Sequence, residues 1–236
     1  TTSDVYLLKL SDDSVKKIVD QPGPDNNPRF SPDGKQIVFS SAMGEKLFFA
    51  SNAKLAIVGV EGGKPRSISV SFAENPGLLE WNRNGIYFTG LQKTGSHLFQ
   101  VDPVSGRVIR ISQPDNLLAG SFSFTRNADR IALTISSPTS MNEVFVSDAL
   151  SFAPRKVTNF NEQAKTFTLG TREVVSWQSQ DGTTIEGVLV KPADFDPAKK
   201  YPLLCIIHGG PTGVDRPVLL TPDARYYPSD IWAARG

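Results

Sequence analysis

Short runs of alternating apolar and polar residues recur along the first two thirds of the chain, and Gly, Pro, Asn or Asp bounds most of them. This alternation is typical of β-strands with one buried face, and the bounding residues are typical of tight turns. Three stretches share an aromatic residue, a short polar turn and an apolar strand, and they begin at Phe30, Trp81 and Phe124. These anchors are 51 and 43 residues apart. A period of about 40–50 residues made of short strands predicts a partial, all-β propeller whose blades have four strands each.

Two further elements repeat in step with the anchors. Apolar strands begin at Val5, Leu55, Leu98 and Val144, and each is followed by a basic and then β-branched stretch that begins at Lys16, Pro65, Arg107 or Arg155. The turns agree with hairpins, because Asp33-Gly34 and Asn84-Gly85 are hairpin dipeptides, and Ala128-Asp129 is a weaker version of the same signal. We therefore expect residues 1–165 to form three full blades and part of a fourth. The three anchor aromatics should pack between blades.

After about residue 165 the repeat stops. Residues 172–190 predict two strands joined around Asp181-Gly182. An uninterrupted apolar run at 203–207 follows, which predicts a strand buried on both faces, as in a parallel sheet covered by helices. Residues 166–236 should therefore begin a domain of α/β type. Cys205 is expected to be an inert buried thiol in that strand, and Trp177 and Trp232 are expected to be packing residues.

Candidate chemistry lies directly after the predicted strand, in His208-Gly209-Gly210-Pro211. In α/β-hydrolases, the loop in this place carries a His-Gly-Gly motif and gives one backbone N–H to the oxyanion hole. Such a donor is worth about 10²–10³ in rate, because it stabilises the negative charge of the tetrahedral intermediate. Pro211 has no N–H, so Gly210 is the predicted donor. His208 and Gly209 are predicted to support the loop, His208 through a ring hydrogen bond.

The sequence resembles known families at these motifs. The Phe-Ser-Pro-Asp-Gly-x-x-Ile-x-Phe segment at 30–39 is similar to repeats of TolB-type propellers and of the prolyl oligopeptidase family. The order of propeller, Glu-Val-Val-Ser-Trp at 173–177 and His-Gly-Gly-Pro at 208–211 resembles the acylaminoacyl-peptidase and dipeptidyl-aminopeptidase branch of that family. Residues 226–236 resemble the first helix after the motif, with Ser229 as its cap and Gly236 as its stop.

This resemblance implies a serine peptidase that hydrolyses short peptides through an acyl-enzyme, with the propeller restricting access. It also implies a Ser-Asp-His triad in that chain order. No G-x-S-x-G occurs in 1–236, so this resemblance places the triad outside this chain. We expect residues 1–236 alone to be an inactive excerpt of a protein about two to three times longer. One alternative is a TolB-like propeller that binds other proteins without catalysis. An esterase with the same hydrolase start is a third interpretation.

The amino-acid composition limits the classes of partner that we expect. The 236 residues carry 25 Lys and Arg against 24 Asp and Glu, a net charge of +1, so no basic surface for nucleic acid or an anionic membrane is expected. No signal peptide or membrane-spanning run is visible. One cysteine excludes an intrachain disulfide, and no residues stand at metal-ligand spacing, so neither metal nor cofactor is predicted. His97 is expected at a surface or at a hydrogen-bonded strand edge. Peptide substrates are the expected partners, a homo-oligomer is compatible with the sequence, and the compartment is left open.

Overall fold

The computed structural model describes residues 2–210, 213–220 and 225–235, and these are almost entirely β-sheet. The chain divides into two compact units. The first contains the chain up to residue 91 together with residues 97–112, and the second contains residues 92–96 together with the chain from 113 onward. No helix in the described part of the chain is long and apolar enough to span a membrane.

The first unit is built from a hairpin and two four-stranded meanders. The hairpin is β1 (Tyr6–Lys9) and β2 (Ser14–Lys17). The first meander is β3 (Asp25–Phe30), β4 (Gln36–Ser41), β5 (Lys54–Gly59) and β6 (Gly62–Ser67), with a 3₁₀ helix, Phe48–Ala50, between β4 and β5. The second is β7 (Gly77–Asn82), β8 (Gly85–Gln92), β9 (Gly95–Val101) and β10 (Val108–Arg110), in which β8 and β9 extend into residues 92–96.

The second unit contains a third four-stranded meander and a separate hairpin. The meander is β11 (Leu118–Phe124), β12 (Arg130–Ser137), β13 (Ser140–Asp148) and β14 (Arg155–Lys156), and a 3₁₀ helix, Phe160–Thr166, follows it. The hairpin is β15 (Thr171–Gln178) and β16 (Thr184–Lys191), and α1 (Ser229–Ala233) lies beyond it in the chain. The three four-stranded meanders and the hairpin of β1 and β2 confirm the predicted propeller-like repeats.

The predicted turns adopt the backbone conformations that their residues favour. Gly34 and Gly85 have φ values of +70° and +136°, and Ala128 takes φ +51° in the third repeat. The Asp33 carboxylate accepts hydrogen bonds from the Ser31 hydroxyl at 2.6 Å and from a backbone N–H two residues later at 3.1 Å. These local bonds close the turn between β3 and β4, as the sequence predicts.

The core of the first unit centres on three phenylalanines. Phe88 and Phe99 stack with ring centroids 5.3 Å apart, and Phe72 meets both rings edge-on at 5.0 and 4.9 Å. Gly90 makes room for this cluster, because a Cβ at this position would lie 2.3 Å from Cζ of Phe72. Aromatic pairs in this geometry add to the stabilisation that comes from burying their area.

The anchor aromatics differ in their surroundings. Trp81 packs against the phenylalanine cluster, as predicted, and Phe124 is half-buried. Phe30 is 53% exposed, so the predicted packing is wrong there. It ends β3, an edge strand of its sheet, and an edge strand has cross-strand neighbours on one side only. His97 is fully buried rather than at a surface, and its Nδ1 lies 3.2 Å from the Ser112 hydroxyl.

The apolar run at 203–207 is not a strand, and the prediction of a buried strand is wrong for this structure. Leu203 and Ile207 are each 83% exposed, and Cys205 is exposed rather than buried. A buried parallel strand needs hydrogen-bonding neighbours on both sides. Among the described residues, β15 and β16 pair only with each other, so no sheet is present for this run to join.

Three smaller expectations concern the second unit. The Trp177 ring packs across Gly187 but is 51% exposed, and Trp232 is 38% exposed, so both rings also face solvent. Helix α1 begins at Ser229, which places Pro228 rather than Ser229 at the N-cap, and no side-chain cap bond forms. Gly236, the predicted stop, lies outside the described residues.

Candidate functional site

The predicted oxyanion loop is an exposed segment with an unusual backbone. His208, Gly209 and Gly210 are all exposed, and Gly210 has φ +75°, a conformation that residues with a Cβ rarely adopt. A Cβ built on Gly209 or Gly210 would meet no described atom within 4 Å. The loop therefore leaves open space beside its backbone. Pro211, the last residue of the motif, lies outside the described residues.

The His208 ring folds onto its own loop. Its Nδ1 lies 3.3 Å from the carbonyl oxygen of Gly209. Gly213 lies against the same atoms, since a Cβ there would be 2.5 Å from the Gly209 oxygen and 2.9 Å from His208 Nδ1. Any side chain at 213 would displace the ring or the carbonyl. Sequence reasoning missed Gly213, although a third glycine five residues after the histidine was a visible signal.

Arg172 anchors the segment that follows the loop. It lies in β15, is 9% exposed, and donates from Nη1 to the backbone oxygen of Leu219 at 2.5 Å. Its Nη2 forms an ion pair with Asp230 in the first turn of α1. One buried guanidinium thus connects the hairpin, the segment around 219 and the helix.

A close backbone approach supports the same connection. A Cβ on Gly170 would lie 2.1 Å from the Lys191 carbonyl oxygen and 3.7 Å from the Cβ of Ala233. Only glycine fits between the end of β16 and the helix without a shift. Together with Arg172, this contact fixes α1 on the hairpin.

A second connection joins the hairpin to the turn between β8 and β9. The Glu186 carboxylate of β16 lies 2.9 Å from Lys93 Nζ and accepts a 3.2 Å hydrogen bond from the Thr94 hydroxyl. The bond from Lys93 is the main reason that the pKa of Glu186 lies below its usual value, and burial opposes this effect. All three residues belong to the second unit.

The loop can supply backbone N–H donors, but the described residues around it hold no complete catalytic apparatus. Cys205 lies three residues before His208, and no histidine other than His208 lies in 166–236. No group of three or more His, Cys, Asp or Glu side chains in the described part of the chain is placed to hold a metal ion. The chemistry that this arrangement can offer is stabilisation of a negative charge on a substrate oxygen.

Comparison with known proteins gives one consistent result. No protein-family model matches this chain. Dipeptidyl-peptidase 5 from Porphyromonas gingivalis is 26% identical over 216 residues, which cover 89% of this chain and 31% of that protein. The resemblance to prolyl oligopeptidase-family peptidases is confirmed. The chain spans about a third of the length of such relatives.

Solved structures agree with this assignment at the level of fold. Acylaminoacyl peptidase from Pyrococcus horikoshii superposes with a TM-score of 0.73 at 20% identity, covering 99% of this chain and 34% of that one. TolB from Acinetobacter baumannii superposes with a TM-score of 0.54 at 17% identity, covering 80% of this chain and 48% of that one. Both likenesses concern the propeller-like fold.

Proposed function

We propose that this chain is the propeller-like and oxyanion-loop portion of a serine peptidase that hydrolyses short peptides. The observation that carries the proposal is the similarity to a dipeptidyl-peptidase 5 over 89% of the chain. In this proposal, residues 1–165 supply the last blades of a propeller, and residues 166–236 open the α/β-hydrolase catalytic domain. The exposed apolar side chains at 203–207 support it, because a hydrolase sheet would bury such a run.

The proposed reaction assigns one step to this chain. A serine Oγ attacks the scissile carbonyl carbon while a histidine takes the hydroxyl proton, and the N–H of Gly210 donates to the oxyanion that forms. The C–N bond then breaks, the histidine returns the proton to the leaving amine, and water hydrolyses the acyl-enzyme. The serine, histidine and orienting aspartate come from outside residues 1–236, since no G-x-S-x-G occurs here.

The substrates in this proposal are peptides short enough to pass the propeller. Release of aminoacyl, dipeptidyl or acylaminoacyl groups all fits the relatives, whose names include both dipeptidyl-peptidase and acylaminoacyl peptidase. His208 and Gly209 support the loop, and the contact between the His208 ring and the Gly209 oxygen is consistent with that role.

Activity-based labelling tests the proposal. The full-length protein that carries this chain should react with a fluorophosphonate probe and hydrolyse aminoacyl, dipeptidyl or acylaminoacyl chromogenic substrates, whereas residues 1–236 alone should do neither. Labelling of residues 1–236 alone would show that the nucleophile had been assigned wrongly. A full-length protein that is folded but inert toward all three substrate types would overturn the peptidase proposal.

Substitution of Gly210 tests the oxyanion donor. We expect Gly210→Val in the full-length enzyme to lower kcat by about 10²–10³, because the left-handed backbone that aims the N–H is strained in a β-branched residue. Gly182→Val is the matched control, since Gly182 has φ +82° in a turn that is equally open. An unchanged kcat in a folded Gly210→Val enzyme would remove this N–H from the mechanism.

The TolB likeness favours a second candidate, a propeller that binds protein partners without catalysis. The two candidates differ in what the full-length protein contains. A G-x-S-x-G followed by an aspartate and a histidine supports the peptidase, and a protein without them, inert toward fluorophosphonate, supports the binding module.

A further inference from the structure

An open groove of about 730 Å³ lies in the first unit, on the second meander. The turn between β7 and β8 forms one wall, and the turn between β9 and β10 forms the other. Its lining includes Trp81, Arg83, Gln100, Asp102, Arg107 and Ile109. Clefts that bind small molecules have volumes of roughly 300–1,000 Å³. The groove lies where β8 begins and β9 ends. The turn that contacts Glu186 joins the other ends of these two strands, so the two features are separate.

The polar groups of the groove fall into two classes. Gln100 is already engaged, because its amide donates to the Asn84 carbonyl oxygen and to the Tyr87 hydroxyl. Asp102 is the only carboxylate among the lining residues, and its Oδ1 accepts bonds from the backbone N–H groups of Val104 and Ser105. The Ser105 backbone bond is the main cause that lowers the Asp102 pKa. These groups hold the two turns in shape.

The side chains of the two arginines of the groove, unlike those of Gln100 and Asp102, are not engaged in holding the turns. Arg83 and Arg107 are exposed, and neither guanidinium has an ion-pair or hydrogen-bond partner among the described residues. Each presents N–H donors in a planar fork that matches a carboxylate. The half-buried ring of Trp81 and the side chain of Ile109, which is 39% exposed, add an apolar surface to the same groove. The groove can therefore bind a ligand that carries both anionic hydrogen-bond acceptors and apolar groups.

We propose that this groove is a docking site for an acidic peptide segment, whose carboxylates pair with Arg83 and Arg107 and whose apolar side chains contact Trp81 and Ile109. Charge complementarity favours this occupant, since bidentate pairs between arginine and carboxylate are among the strongest polar contacts in proteins. The site does not depend on the proposed catalysis. The proposed occupant is an acidic tail of a partner protein.

The third meander supplies a matched control. Arg126 lies two residues after Phe124, just as Arg83 lies two residues after Trp81. Arg155 begins the basic stretch of its repeat, as Arg107 does in the second meander. Arg126 and Arg155 are also exposed and without a described partner. The double variants Arg83→Gln/Arg107→Gln and Arg126→Gln/Arg155→Gln therefore remove equal charge from corresponding positions of two repeats.

The test is fluorescence anisotropy with the full-length protein and a labelled short peptide in which glutamate and phenylalanine alternate. We expect saturable binding that weakens with salt, and an affinity about tenfold or more lower for Arg83→Gln/Arg107→Gln. The Arg126→Gln/Arg155→Gln variant should bind as the parent does, and a peptide with glutamine in place of glutamate should bind far more weakly.

Three results would overturn the docking site. They are absence of saturable binding by the folded parent, equal losses in the two double variants, and equal binding of the glutamine peptide. Circular dichroism on each variant checks that the sheets are intact. Because the readout is binding, its failure is distinct from failure of the peptidase proposal, which appears as absence of hydrolysis.

Discussion

At the scale of single residues, Arg172 connects more elements near the candidate site than the other residues described above. Its side chain is 2% exposed and its ion-pair partner, Asp230, is 17% exposed, so both charges are largely removed from water. Such a pair adds little net stability compared with an apolar pair, but removal of one partner is costly because the other charge stays buried. The guanidinium also satisfies the Leu219 carbonyl. It is a positioning residue for the chain between the oxyanion loop and α1.

We expect Arg172→Gln to destabilise this region by about 3–5 kcal/mol and to release α1 and the segment around Leu219 from the hairpin. Hydrogen exchange should show faster exchange in α1, while β4, β5 and the phenylalanine cluster keep their protection. Glu173→Gln is the control, because it removes a partly exposed pair with Lys191 on the same hairpin, which is worth about 0–1 kcal/mol. Equal exchange rates in α1 of the Arg172→Gln and Glu173→Gln variants would refute the anchoring role.

At the scale of elements, Glu143 joins β13 to the 3₁₀ helix Phe160–Thr166. The carboxylate is buried and accepts bonds from the Thr158 hydroxyl and from both the backbone N–H and the side-chain amide of Asn161. Burial is the largest single influence and would raise the pKa of Glu143, but these hydrogen bonds together outweigh it and lower the pKa to about 2. The ionised carboxylate is therefore the form that holds the helix against the strand.

This pKa predicts acid sensitivity of the connection. A folded-state pKa below the unfolded value of about 4.3 means that the stabilisation is fully present above that pH and is lost as the pH falls toward about 2. Glu143→Gln should be less stable than the parent at neutral pH, and its stability should fall less between about pH 4.5 and 2. Denaturant unfolding across this range measures both curves, and parallel curves would contradict the assignment.

The elements also show which parts of the fold could be predicted from the sequence. The strands of the three meanders follow from alternation and from turns such as Asp33-Gly34, because both are local properties. The buried strand predicted at 203–207 depends on neighbouring strands that the described chain does not contain, so its apolar composition alone could not produce it. Phe30 and His97 were misplaced for a related reason, since burial depends on which sheet positions have neighbours.

Some residues of the candidate site could likewise be predicted from the sequence, and others could not. The His-Gly-Gly motif can be recognised from adjacent residues alone, and Gly210 has the positive φ that glycine allows. Arg172, Gly213 and Glu186 act through contacts with residues distant in sequence or through close backbone approach. No local pattern encodes the contacts of Arg172 and Glu186, because one arginine or glutamate in an alternating strand is typical of an ordinary exposed position.

At the scale of the whole molecule, the contact of Glu186 with Lys93 and Thr94 connects a turn of the repeat region to the hairpin that precedes the oxyanion loop. If the propeller restricts access in the proposed peptidase, this contact helps to hold the restriction in place. Its loss should then change which peptides enter rather than the chemical step. The distinction can be measured, because entry affects kcat/KM for long peptides and chemistry affects kcat for all of them.

We therefore expect Glu186→Gln in the full-length enzyme to raise kcat/KM for long peptides relative to a dipeptidyl substrate, by no more than about fivefold, since a partly exposed ion pair contributes about 0.2–1 kcal/mol. The kcat for the dipeptidyl substrate should not change. Glu173→Gln again serves as the control, because it breaks a pair within the hairpin and leaves the turn at 93 and 94 untouched. A change of the same size in both variants, or a fall in kcat for every substrate, would mean that the contact acts on the hairpin itself and not on access.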